Sequence, residues 1–502
     1  MFAWFDSSAL SGAARRAGFA TLAATAFCLA APAAQAANLQ RPPEVDSVNG
    51  VATLTLYVVR NSVNGLPEYS YLGQHTPPTI RVNPGDHIKL TLVNELPAVY
   101  GLNYRNMTNL HYHGMKTSPN EPADDVIDIM VMPGQIYEYD VPIPKDESPG
   151  LYWYHPHPHG ESNRQVSGGM SGAIIVNGME KYYPNVNKVP ERLILIRDQY
   201  PAGDPVPAIL MPGGLLHKDA YAPTCTGYGA ENLTVNGDPL PTIDMQPGGT
   251  QFWRVANMSA NTFVDIKVDG SRLNVIARDG EPIDYRDRNG SGVYYQDYLL
   301  APAARAEFFV NGPPAHANAK VRSLCVDTGP AGNITPARII AAISPLPSNN
   351  AMALKPAPAS LIATHKPLRD IRSYAVAAKK TIIFTENPSN GQYFINGEIY
   401  NPNKPPTYFA KAGTVEEWTI VNKTQELHAF HIHQIHFMVE DGKSPEDFRD
   451  TITVPYQTAK SGPGTVRLLM DFSDPIIKGT FVFHCHILFH EDGGMMQKLV
   501  VQ

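Results

Sequence analysis

The stretch FVFHCHILFHEDGGMM, residues 481–496, sets two His beside one Cys: His484 and His486 flank Cys485, His490 follows, and Met495 closes the run. Imidazole, thiolate and thioether donors spaced this closely suit a bound metal ion. Three more clusters repeat the theme: HYHG with His111 and His113, HPH with His155 and His157, and HAFHIH with His428, His431 and His433. Ten of the chain's 17 His therefore lie in four short motifs. A lone His on a strand is ordinarily a surface residue or a hydrogen-bonded core residue. Four HxH patterns in matched places need another reason.

Strand parity turns this spacing into geometry. Side chains two apart on a strand share a face, so each HxH pair aims both rings the same way. Four pairs supply eight His, enough to hold several metal ions. Cys485 lies between His484 and His486 and points to the opposite face; His428, three before His431, also faces away from His431 and His433. His490 is expected in the turn after the strand. Two sites back to back follow, one of His428, Cys485 and His490, the other of the eight His. A His₂Cys set with a weak axial Met fits the electron-transfer copper site, and Met495 is placed for the axial position. A structural zinc site is closed and four-coordinate, and would have no use for eight further His. His159 and His436 continue the parity of their clusters, but Pro158 and the turn at Gly160 make His159 a loop residue beside the ligands, and His436 reads as packing or hydrogen bonding.

The elements that must position these residues recur three times. TIRVNPGDHIKLTLVNEL (79–96), TIDMQPGGTQFWRVANMS (242–259) and TYFAKAGTVEEWTIVNKT (407–424) each run an alternating strand into a Gly turn and a second strand that ends at Asn. The copies are domain-sized distances apart, too far for a solenoid repeat. A second landmark, GLYWYHPHPHG in the first unit and GTFVFHCHILFH in the third, corresponds to VRSLCVDTG in the second, which has no His. The expected fold is all-β, three consecutive Greek-key β-sandwich domains at 45–180, 190–345 and 375–502, with the Pro/Ala-rich stretch 346–374 as a linker. The first and third carry the His clusters. The second keeps the frame without ligands.

Bulk composition agrees. A chain of 502 residues with 43% apolar and 17% charged residues is an ordinary globular protein, and 45 Pro with 39 Gly favour short strands and turns over long helices. The net charge of −7 and the lack of a basic run exclude nucleic acid as an expected partner. Arg15 and Arg16 precede an Ala-rich apolar run that ends in AQA at 34–36, the pattern of an export signal over residues 1–36. A periplasmic or secreted protein without a membrane span is expected. In such a compartment Cys225 and Cys325 are expected to pair as a disulfide, two buried thiols being the alternative.

With HxHG, HxH, HxxHxH and HCHxxxHxxxxM in this order, the chain resembles the multicopper oxidases, and most of all three-domain bacterial laccase-type enzymes. The motifs together are highly specific, and the likeness spans essentially all of the chain beyond the N-terminal segment. It implies three cupredoxin-like domains and four copper ions, one type 1, one type 2 and a type 3 pair. By resemblance, His428, Cys485 and His490 bind the type 1 copper with Met495 axial. His111 and His431 bind the type 2 copper; His113, His155 and His486 bind one type 3 copper, and His157, His433 and His484 the other. The family pattern also implies that electrons cross from Cys485 to His484 and His486, and that four transfers reduce O₂ to two waters. Glu491 and Asp124 resemble acids that carry protons to the oxygen site, although a solvated acidic loop is the plainer reading and Asp125 could replace Asp124.

The ligands say oxidase and leave the donor open. The resemblance favours a monomeric laccase-like oxidase of phenols and aromatic amines. The alternative is a metallo-oxidase of Cu(I), Fe(II) or Mn(II), and a third reading is a copper-binding envelope protein with incidental activity. Cuprous oxidases of this family carry a Met-rich insertion in domain three, whereas this chain has only Met352 between Ser344 and Ala410. Iron or manganese would instead need carboxylates near the type 1 site.

Overall fold

The computed structural model describes residues 38–62, 64–101, 105–199, 233–283, 293–315, 317–333, 335–345, 371–387, 389–440 and 448–502. The expected export signal, Cys225 and most of the linker lie outside them. Among the described residues the strands form six sheets, two in each of three sequence blocks, 44–176, 191–345 and 376–501. These are tandem cupredoxin-like β-sandwiches. No helix of the described residues is long and apolar enough to cross a membrane.

The threefold repeat is visible as pairing. In the first block Val51–Arg60 runs parallel to His87–Asn94, which is antiparallel to Ile136–Pro142. The second block repeats this with Glu191–Arg197, Thr250–Asn257 and Arg305–Asn311. The third repeats it with Val376–Asn387, Val415–Asn422 and Gly464–Asp471. The strands are apolar on alternate positions because one face of each sheet meets a core: Leu54, Leu56, Leu90 and Leu92 in the first block, Trp253, Val255 and Phe308 in the second, Trp418, Ile420 and Leu468 in the third. The turns before the central strands hold Gly85, Gly248 and Gly413 at positive φ (94°, 70° and 83°), a conformation in which a Cβ would be strained.

The Asn that ends each central strand has a structural task. Asn94, Asn257 and Asn422 are fully buried. Each donates from Nδ2 to two main-chain carbonyls, those of Asn106 and Val131, of Thr262 and Leu300, and of Glu426 and Val454. Each accepts with Oδ1 from the main-chain N–H two residues on. One side chain thus satisfies loop backbone that would otherwise be buried without partners, and ties the strand to the loop that follows.

The other sheet of the first and third blocks carries the His motifs. His111–His113 pairs antiparallel with Gly150–His155, placing His111 opposite His155. His428–Ile432 pairs in the same way with Gly479–Cys485, placing His431 opposite His484 and Phe430 opposite Cys485. Cys325 is disulfide-bonded; because Cys225 lies outside the described residues, the expected Cys225–Cys325 bridge is not among the pairs described, and among the described residues Cys485 is a free, buried thiol.

Candidate metal centre

Two donor groups lie on opposite faces of the strand Gly479–Cys485. On one face His428 Nδ1 is 3.4 Å and His490 Nδ1 3.8 Å from Cys485 Sγ, and the two nitrogens are 3.1 Å apart. These three side chains form one group of converging ligand atoms. His490 sits in the short helix Leu488–Asp492 rather than in an open turn. That helix is tied to the second block, Leu488 N–H donating to Ala260 O and Phe489 N–H to Asn261 Oδ1. The outer nitrogens have polar neighbours too: His428 Nε2 hydrogen-bonds with Thr424 Oγ1 at 2.9 Å, and the Glu426 carboxylate lies 3.4 Å from His490 Nε2. Tyr393 stacks on His490 with ring centroids 4.1 Å apart. Met495 is buried beside this group, its main-chain carbonyl accepting from Cys485 N–H at 3.1 Å. Burial pushes the Cys485 thiol up to about 12, so its thiolate forms only against a strongly attracting cation.

On the other face the eight His meet between the first and third blocks. His111 stacks on His433 with centroids 3.7 Å apart and His113 on His431 at 3.9 Å. The Nε2 atom of His484 lies 3.1 Å from Nε2 of His157 and 3.3 Å from Nε2 of His433. Converging donor groups include His157, His433 and His484, as well as His111, His431 and His433, and His111, His113 and His155. All eight are essentially buried, and burial, the largest cause, lowers the pKa of each, that of His155 and His484 to about 3. They are neutral imidazoles, the form that binds metal.

Their neighbours decide which nitrogen faces inward. Main-chain carbonyls only accept, so His155 Nδ1–H donates to Pro156 O (3.0 Å), His431 Nδ1–H to Asp450 O (2.8 Å) and His484 Nδ1–H to Cys485 O (3.1 Å). His111 Nδ1–H donates to the Asp124 carboxylate at 3.0 Å. The opposite nitrogens keep their lone pairs. Nε2 of His111, His155 and His431, Nδ1 of His113 and both nitrogens of His486 are buried with no hydrogen-bond partner. Each of these neutral rings, His486 through one of its two nitrogens, leaves an acceptor orphaned, and orphans this numerous would be costly in a core. Cations held between the rings would satisfy them, so the donor set fits bound copper.

Glu491 is fully buried, with Oε2 3.2 Å from His484 Nδ1 and 3.6 Å from His157 Nε2. Asp124 accepts from His111, from Tyr112 N–H and from Gln434 Nε2. Burial raises the pKa of both carboxyls. Asp125 caps the turn that follows instead, accepting from the N–H groups of Ile127 and Asp128. His159 faces Tyr400, ring centroids 4.8 Å apart, and His436 donates from Nε2 to Asp279 O. Sequence reading missed Gln434, Asp450 and Arg305. The last two pair in full burial, and a charged residue opening the apolar strand RAEFFVN was the available signal.

Three models of the family described as "Multicopper oxidase" match residues 67–181, 153–311 and 373–502. The chain belongs to the multicopper oxidase family. It is a copper-dependent oxidoreductase with type 1, type 2 and type 3 copper sites. It is 26% identical over 446 residues to the "Multicopper oxidase mco" of Staphylococcus aureus, covering 86% of this chain and 83% of that one. It is 24% identical to a "Laccase" of Bacillus stratosphericus, covering 86% and 90%. Its fold matches a multicopper oxidase from Campylobacter jejuni, described as a metallo-oxidase, with a TM-score of 0.70, 24% identity and coverage of 93% and 95%.

Proposed function

We propose that this multicopper oxidase takes its electrons from a divalent metal ion, Fe(II) or Mn(II), rather than from a phenol. Bound copper supplies one-electron oxidation of the donor and the four-electron reduction of O₂ to water. On this reading His428, Cys485 and His490 hold the type 1 copper with Met495 axial. His111 and His431 hold the type 2 copper, and the remaining six His hold the type 3 pair. Glu491, against His484 and His157, and Asp124, behind His111, hold protons beside the oxygen site.

The observation that carries the choice of donor is the Glu426 carboxylate at the outer edge of His490. An aromatic donor needs an open, mostly apolar cleft against that edge. Here His490 is 3% exposed, roofed by Tyr393 on its face and met by Glu426 at Nε2. Burial, then the Glu426 and Glu386 carboxylates, raise the Tyr393 pKa, which places two acids on this side of the ring. Carboxylate oxygens suit Fe(II) and Mn(II), whereas Cu(I) prefers thioethers, of which the sequence between Ser344 and Ala410 offers only Met352. The Campylobacter jejuni relative is described as a metallo-oxidase, but likeness at 24% identity extends to the fold alone, so the reading rests on Glu426.

Oxygen uptake by the copper-loaded protein with Fe(II), Mn(II), Cu(I) and 2,6-dimethoxyphenol tests it. Fe(II) or Mn(II) is expected to be the fastest donor. Glu426→Gln is expected to lower kcat/KM for these ions about tenfold more than for the phenol, the equivalent of about 1.4 kcal/mol. Faster phenol turnover, with Glu426→Gln affecting both donors alike, would return the protein to the laccase reading.

A further inference from the structure

The middle block holds none of the clustered His, yet it sends one side chain to their edge. Arg305 opens the strand Arg305–Asn311 and is fully buried. Its Nη1 donates to Asp450 Oδ1 at 2.7 Å and its Nη2 to Oδ2 at 2.6 Å, a two-pronged pairing. The guanidinium is held from behind, Nε donating to Leu151 O at 3.2 Å, and the backbone of Arg305 is tied down by its N–H donating to Asp279 Oδ1 at 2.7 Å. A buried ion pair of this kind is often no more stable than well-packed apolar residues of the same volume, so stability alone gives little reason to retain it.

Asp450 does more than accept Arg305. Its Oδ1 also accepts from His113 Nε2–H at 3.0 Å and from Thr451 Oγ1 at 2.8 Å. Its main-chain carbonyl accepts from His431 Nδ1–H at 2.8 Å. One residue therefore sets the tautomer of two ligands. The carboxylate turns His113 so that Nδ1 faces inward, opposite to His111, His155 and His431, which present Nε2. The carbonyl turns His431, whose ring stacks on His113. The Gly of HYHG has its reason here: Gly114 has φ +82°, and a Cβ there would collide with Arg305 Nη2 and Asp450 Oδ2.

We propose that Arg305 and Asp450 are positioning residues of the trinuclear site. The Arg305 fork, supplied by the ligand-free block, holds the Asp450 carboxylate in one plane and orientation. Asp450 then aims one His from each ligand-bearing block, His113 and His431, with their lone pairs toward the coppers. On this reading Asp450, though its carboxylate lies within reach of the His113 and His431 nitrogens, serves as their hydrogen-bond partner rather than as a copper ligand. The inference rests on the copper roles given above.

Arg305→Met and Asp450→Asn, loaded with copper, test it through copper content, the visible spectrum and electron paramagnetic resonance. The blue thiolate signal of the Cys485 site is expected to be unchanged, which shows the fold and the type 1 site intact. The type 2 resonance is expected to change, and trinuclear copper to be held about 10- to 100-fold more weakly. Arg305→Lys, a point charge without the fork, should restore copper binding only in part. Asp450→Asn keeps the side-chain shape and decides the matter by itself if Arg305→Met does not fold. A normal type 2 resonance and full trinuclear copper in a blue Asp450→Asn protein would overturn the inference. A missing blue signal in the wild-type protein would overturn the copper reading beneath it, and the inference with it.

Discussion

The block 191–345 and the block 376–501 share one frame and differ in what hangs on it. Both place a central strand between a parallel and an antiparallel neighbour, and both close that strand with a buried Asn that satisfies two loop carbonyls. The strand His428–Ile432, paired with Gly479–Cys485, presents metal ligands on both faces. Its counterpart Val264–Val268, paired with Lys320–Leu324, presents Val264, Ile266 and Val268 to an apolar core. The frame therefore does not need the ligands. The ligands need the frame, and the middle block also contributes to the site through Ala260, Asn261 and Arg305.

Separating frame from chemistry by mutation is the way to break this comparison. Among variants that leave the copper ligands intact, the largest effect on turnover is expected from Glu491→Gln, which removes the proposed proton carrier against His484 and His157. O₂ reduction should slow about 10²-fold, while copper content and melting temperature stay normal. Unchanged turnover would remove Glu491 from the mechanism. Next come Asn257→Ala and Asn422→Ala, compared by chemical denaturation. Each strips donors from two buried carbonyls, at about 1–3 kcal/mol for each group left unsatisfied. Similar losses in both, with copper binding disturbed only by Asn422→Ala, would sharpen the division; an effect in one variant alone would refute the shared frame.

The smallest effect concerns acid. A free imidazole of pKa about 6.5 would be protonated about 30-fold over neutral at pH 5. His155 and His484, held near 3 by burial, stay neutral there in the folded chain. Copper titration at pH 5 and pH 7 should thus show a loss well below that factor for each of these His. A loss of the full factor would mean that the cluster is open to water.

Much of this was legible in the sequence, for a definite reason. Strand parity alone separates Cys485 and His428 from the eight His, because alternation of faces is a backbone property, and the thrice-written strand–Gly–strand–Asn unit announces the sandwiches. Short-range pattern also put His490 close to its position, although the chain there turns into the helix Leu488–Asp492. Partners from distant strands were not legible. Asp450 meets His113 across 337 positions and Gln434 meets Asp124 across 310, and no local spacing encodes either. Glu426 was equally hidden, since only the folded loop brings it to His490, and the proposed metal-ion donor rests on that contact.

The most direct test of the account is the visible spectrum and copper content of the fully loaded protein beside those of Cys485→Ser. Four coppers per chain with an intense blue thiolate-to-copper band, the band abolished and turnover lost in Cys485→Ser, is the predicted result. Full copper loading without a blue band would show that Cys485 is not a ligand and would contradict the account.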